Sequence, residues 1–160
     1  MADKAVLVIL IISILIPIAF AFNGHKKGFV KLAVTLVFMA GTVALSFFVN
    51  PYVSGFILDY TELPNSKLIA FILSYIIVMI ILKMTVLSLE MISRIPVING
   101  LNRVLGFAAG LCEGLFILWF MYLILMVVIP DIFENIMTSN MYLSYMYNYN
   151  LLFFLIQNYV

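Results

Sequence analysis

One carboxylate stands where a carboxylate is expensive. Glu113 lies nine positions into the apolar run Val104–Val128, about 13 Å from its start at the rise of an α-helix. In hydrocarbon such a group must be paired, protonated or turned toward water. Lys83 sits in the preceding apolar run. If the two runs form a hairpin turning near residue 97, Lys83 and Glu113 differ in depth by about 3 Å. The spacing allows a Lys83–Glu113 ion pair. It equally allows Lys83 to snorkel to the interface and leave Glu113 protonated. Lys31, Thr35, Thr42 and Ser46 share one helix face upstream. Hydroxyls at such spacings ordinarily bond the carbonyl four residues back. The alternative is a narrow polar seam.

A second pattern concerns packing. Gly106, Gly110 and Gly114 recur every four residues, which stacks them on one helix face, with Ala109 widening it. In lipid such a face lets another backbone approach closely. Ala40, Gly41 and Ala44 offer a complementary small patch. Either the face packs within the chain, or it shapes a path or a dimer seam. Asn102 is placed to cap the run that follows it. Arg103 can reach lipid phosphate or Glu90. His25 sits in a polar turn and is expected to be solvated.

These residues need elements to hold them, and composition says which kind. Of 160 residues 66% are hydrophobic and 9% charged, against about 25% charged in soluble domains. So few charges cannot cover a soluble globule, and the chain is too apolar for disorder. A formal net charge of +1 gives no electrostatic case for nucleic acid. One cysteine and one histidine make neither an internal disulfide nor a metal site. There is no phosphate loop, HExxH or G-x-S-x-G. No nucleophile, base and orienter can be named, so the chain reads as non-enzymatic, with no cofactor.

The expected fold is an all-α membrane protein of one integral domain, residues 1–160. Its four transmembrane helices fall near 5–22, 29–49, 68–89 and 104–128, each about the length needed to cross a bilayer. The first run resembles a signal peptide, with a cleavage-like Ala19-Phe20-Ala21. However, Asp3 offsets Lys4 before it and His25-Lys26-Lys27 follow it, which argues for a retained span. Pro17 is expected to kink this span. Asn23-Gly24 signals a tight turn over 23–28, and Asn50-Pro51 ends the second span. Tyr52, Phe56, Ile57 and Leu58 then suggest a segment on the bilayer surface. Pro96 and Asn99-Gly100 mark a loop between the third and fourth spans.

Orientation follows the basic residues. The first and third connections or their flanks hold Lys26, Lys27, Lys31, Lys83, Arg94 and Arg103, against Lys4 and Lys67 on the other side. The first and third connections are therefore expected to be cytoplasmic, with Lys26, Lys27 and Lys31 as basic anchors and both termini outside. The tail, 130–160, carries five tyrosines and an apolar run too short to span. It reads as short interfacial C-terminal helices, since tyrosine favours the headgroup level. Besides the lipid bilayer, the expected associate is a membrane-protein partner or a second copy of the chain.

Two stretches together resemble the colicin V production protein (CvpA) family. Lys27-Gly28-Phe29-Val30-Lys31 is similar to its R-G-F-x-R/K element ahead of the second span. Asn102-Arg103-Val104-Leu105-Gly106, with Gly110 and Gly114, is similar to its (D/N)-R-x-L-G-x-x-x-G-x-x-x-G signature at the fourth. Order, spacing and the four-span layout agree over roughly 5–130. Asn102 replaces the aspartate of many members, and Glu113 stands where an arginine is common, so no role for a positive charge carries over there. The resemblance implies a bacterial inner-membrane protein linked to colicin V production or export and to envelope homeostasis. The alternative reading is a small oligomeric channel or transporter using Glu113 and Lys83.

Overall fold

The computed structural model describes residues 2–58, 65–87 and 100–159. They fold into seven helices, with no strand among the described residues: α1 Ala2–Lys27, α2 Phe29–Leu58, α3 Ser66–Leu87, α4 Gly100–Val128, α5 Pro130–Thr138, α6 Met141–Asn148 and α7 Leu151–Tyr159. Helices α1 to α4 are each long and apolar enough to cross a membrane. With every backbone group bonded inside its own segment, a helix is one of the two structures that lipid tolerates. The chain is an all-α, multi-pass membrane protein.

Three helix boundaries differ from the sequence expectation. The turn expected over 23–28 is a single residue: α1 continues through Asn23 and Gly24, and only Gly28 is left-handed, with φ +81°. Packing of Gly24 against α4 overrides its local turn preference. Helix α2 does not stop at Asn50-Pro51 but runs on to Leu58. A proline inside a helix removes one N–H and clashes with the preceding turn, a defect that neighbouring helices and hydroxyls help to offset in membrane proteins. The carbonyl left without its N–H is that of Phe47, one turn before Pro51; Ser54 Oγ donates instead to the carbonyl of Pro51 itself, 3.1 Å away. Helix α4 is described from Gly100, and Asn102 is already helical there, so it does not cap α4. The expected continuation of the third helix toward Arg94 and the Pro96 loop lie outside the described residues.

Helix α1 packs most extensively on α4, and α2 on α3. Two clusters of large side chains fill the half of the bundle nearer Val128. Ile9, Leu118, Tyr122, Phe133, Ile136, Met137 and Leu143 join α1 and α4 to α5 and α6. Val43, Leu68, Phe71, Tyr75, Leu123, Leu152 and Ile156 join α2, α3 and α4 to α7. The tail therefore folds back beside α4 and does not lie beyond its end. Asn150 Nδ2 donates to the Trp119 carbonyl at 3.3 Å, and Trp119 is nine residues before Val128, about 13 Å along the helix. Asn140 caps α6, its Oδ1 accepting from the N–H groups of Tyr142 and Leu143. Asn150 Oδ1 likewise accepts from the Phe153 N–H at 3.1 Å.

Candidate functional site

The two motif segments, far apart in sequence, meet at one end of the bundle. Gly28 links α1 to α2 and is buried. Its N–H donates to the Gly24 carbonyl at 2.8 Å, closing α1. It stands where α2 would carry its capping side chain, and glycine has none. Asn102 of α4 supplies the missing acceptor: its Oδ1 receives the Val30 N–H at 3.3 Å. Asn102 was expected to cap the fourth span; its side chain instead meets the first turn of α2. The first-turn N–H groups of a helix lack internal partners, and here a neighbouring helix meets one of them. A Cβ at Gly28 would overlap the Asn102 amide.

Above this junction α1 and α4 cross backbone against backbone. On α1 the buried positions are Ile9, Ser13, Pro17, Ala21 and Gly24, mostly four apart, and buried Gly28 continues the row just past its end. On α4 they are Gly106, Ala109, Gly110, Glu113, Gly114, Leu118, Tyr122 and Leu123. Gly106 meets Gly24 and Gly28, Gly110 meets Phe20 and Ala21, and Gly114 meets Pro17 and Phe20. A Cβ at Gly114 would stand 2.7 Å from Pro17 Cα. The order is antiparallel. At the far end of the crossing, Ser13 Oγ and the Tyr122 hydroxyl lie 2.6 Å apart, and Ser13 also donates to the Ile9 carbonyl at 2.6 Å.

The partner of the glycine face is therefore α1, not the Ala40-Gly41-Ala44 patch. A Cβ at Gly41 would meet nothing within 4 Å, and Ala40 and Ala44 are exposed. Sequence reading missed Gly24, Ala21, Pro17 and Ser13. Their signal was the four-residue recurrence of small residues in the first span, obscured by the turn-like Asn23-Gly24 and by Pro17.

Glu113 is buried on α4, 8% exposed, and its Oε2 has no hydrogen-bond partner. Lys83 is exposed on α3 and is not joined to it. Of the two arrangements the spacing allows, the ion pair is not formed, because α3 packs chiefly on α2, whereas α4 packs chiefly on α1. Lys26, Lys27, Lys31, His25 and Arg103 are exposed at the Gly28 end. Glu90, the expected partner of Arg103, lies outside the described residues. Thr42 and Ser46 are fully buried and bond back to Phe38 and Thr42, at 2.7 and 2.6 Å. Thr35 does so more loosely to Lys31, at 3.4 Å. Among the described residues no group of His, Cys, Asp and Glu could hold a metal ion.

No curated protein matches the chain, and no solved structure does. The family model described as colicin V production protein matches residues 9–150. That span runs from the first buried residue of the α1 face, through both motif segments, to the Asn150 cap. A four-span bundle whose two motif segments form one junction, matched over nearly its whole length, belongs to the colicin V production protein family.

Proposed function

We propose that this protein is a non-enzymatic component of the bacterial cytoplasmic membrane, with both termini outside, that supports colicin V or toxin production or export and envelope homeostasis. The single observation that carries this reading is the Gly28–Asn102–Gly106 junction. It locks α1, α2 and α4 together at the end bearing Lys26, Lys27, Lys31 and Arg103. A rigid junction ringed by exposed cations suits an anchor against anionic headgroups and a platform for another membrane protein. Exposed aromatics of the tail, among them Tyr145, Tyr149 and Tyr159, suit the opposite headgroup layer.

The test is toxin partition in producing cells. Deleting the gene is expected to lower toxin in the medium, and the parent chain to restore it. A Gly110→Leu chain that reaches the membrane is expected not to restore it, and to lose a membrane protein that co-purifies with the parent. Unchanged toxin on deletion, with unchanged envelope integrity, would overturn the reading.

A further inference from the structure

A cavity of about 450 Å³ opens where the first turn of α3, the last turn of α4 and α7 come together. The tail makes it, because α7 packs on both α3 and α4. Its size falls within the about 300–1,000 Å³ of small-molecule sites. Its height is set by Met126, which follows Gly106 by 20 residues on α4, about 30 Å along the helix. That is the thickness of the hydrocarbon core. With the cations around Gly28 at one headgroup layer, the cavity stands at the other.

The lining divides into two chemistries. Exposed Lys67 and Gln157 and half-buried Ser66 form the mouth. Buried Leu68 and Ile156, with half-buried Met126 and Phe153, form the wall behind it. Lys67 is the one cation lining the cavity, and no carboxylate lines it. Asn65 produces this layout. It holds a left-handed φ of 64°, which asparagine tolerates, and its carbonyl accepts the Leu68 and Ile69 N–H groups at 2.9 and 3.1 Å. Helix α3 thus begins at the mouth, its second residue Lys67 and its third Leu68. No acidic side chain in that first turn offsets the positive end of the helix dipole.

Water does not favour an apolar wall, and hydrocarbon does not serve an ammonium, a hydroxyl and an amide. An amphiphile with an anionic head satisfies both. We propose that this cavity holds one phospholipid, its phosphate oxygens on Lys67 and Ser66 and the start of an acyl chain against Leu68, Met126, Phe153 and Ile156. The Lys67 ammonium carries three donors and the Gln157 amide two, enough for a phosphate and its ester oxygens. The accessory role proposed above does not depend on this site, and its failure would leave the site standing.

The test uses the full chain in maltoside micelles, titrated with dioctanoyl phosphatidylglycerol and followed by native mass spectrometry. The parent is expected to retain one phospholipid per subunit ahead of any further ones. Glycerol phosphate and inorganic phosphate lack the chains, and dioctanoylglycerol lacks the phosphate; each is expected to bind at least about tenfold more weakly. Lys67→Met, at an exposed position, is expected to weaken phospholipid binding about tenfold, the loss of one charged hydrogen bond. Lys83→Met removes a cation outside the cavity and is expected to change nothing. Helicity is checked for every variant. Inorganic phosphate bound as tightly as the phospholipid would make this a free-phosphate site, and dioctanoylglycerol bound as tightly would make it an apolar groove. Either result, parent affinity in folded Lys67→Met, or a parent that retains no phospholipid would overturn the proposal.

Discussion

Gly24 of α1 and Gly106 of α4 oppose each other so closely that a Cβ on either would overlap the other's carbonyl oxygen. Neither residue can be exchanged alone without moving a helix. Contacts of this kind bring Cα–H groups against carbonyls, each worth about 0.5–1 kcal/mol, and give the pair van der Waals contact that lipid cannot match.

Replacing Gly24, Gly106 or Gly110 by alanine is therefore expected to destabilise the bundle by about 1–3 kcal/mol, the usual cost of overpacking. Gly41→Ala is the contrast. It has open space around it, and a helical Gly-to-Ala change relieves about 0.5–1 kcal/mol. Unfolding in mixed micelles should order the four variants with Gly41→Ala at or above the parent. If Gly110→Ala unfolds with the parent, the α1–α4 crossing has room for a methyl group beside Phe20 and Ala21.

The cap across helices makes a different prediction. Asn102→Ala removes the acceptor of the Val30 N–H and is expected to cost about 1 kcal/mol, as lost helix caps do. Asn102→Asp keeps an acceptor at a helix N-terminus, where negative charge is favoured, and is expected to retain stability. Gly28→Ala meets both an unfavourable φ and the Asn102 amide. Removing that amide should relieve part of its cost, so the double variant Gly28→Ala with Asn102→Ala should be more stable than the summed singles. Strict additivity would mean the two residues do not touch.

The spans were legible because four apolar runs of bilayer length leave little choice of fold, and the structure has four such helices. Residues 102, 106, 110 and 114 were legible as a motif, but the partner of this face was not. Ala40-Gly41-Ala44 has the right residue sizes, yet sequence does not say which way a face points, and that face is open. Gly24 was read as a turn because Asn-Gly is a local signal. Inside an apolar bundle the contact with Gly106 outweighs it. Asn102 was expected to cap its own helix, because capping rules look only along the chain; its amide meets α2. The Lys83–Glu113 pair failed similarly: depth can be counted from sequence, whereas azimuth cannot.

Alkaline pH should release the tail. Burial pushes the Tyr142 and Tyr147 hydroxyls above the ordinary 10.0, and the Glu134 charge adds to this for Tyr147. Tyr145 is raised first by its hydrogen bond to Tyr149. An acid whose folded pKa is raised holds its proton more tightly when folded. Its stabilising contribution is full below the unfolded value and is lost as pH rises through the folded one. Cleavage of the tail by an added protease, followed together with tyrosinate absorbance in micelles, should therefore increase above pH 10.0. Release already complete below that value would assign the transition to another group.

The Ser13–Tyr122 contact should prove asymmetric. The two hydroxyls lie 2.6 Å apart, and Ser13 has a second partner in the Ile9 carbonyl. Tyr122→Phe leaves Ser13 bonded to that carbonyl and keeps the ring in its cluster with Leu118 and Phe133. Its cost is expected near the average membrane hydrogen bond, about 0.6 kcal/mol. Ser13→Ala strands the Tyr122 hydroxyl on a side chain that is 1% exposed. An unsatisfied buried group costs about 1–3 kcal/mol, so this smaller change in volume should be the more damaging one. Adding Tyr122→Phe to Ser13→Ala should then recover stability, because no polar atom is left without a partner. A double variant weaker than Ser13→Ala alone would show that the pair is held by ring packing and not by the hydrogen bond.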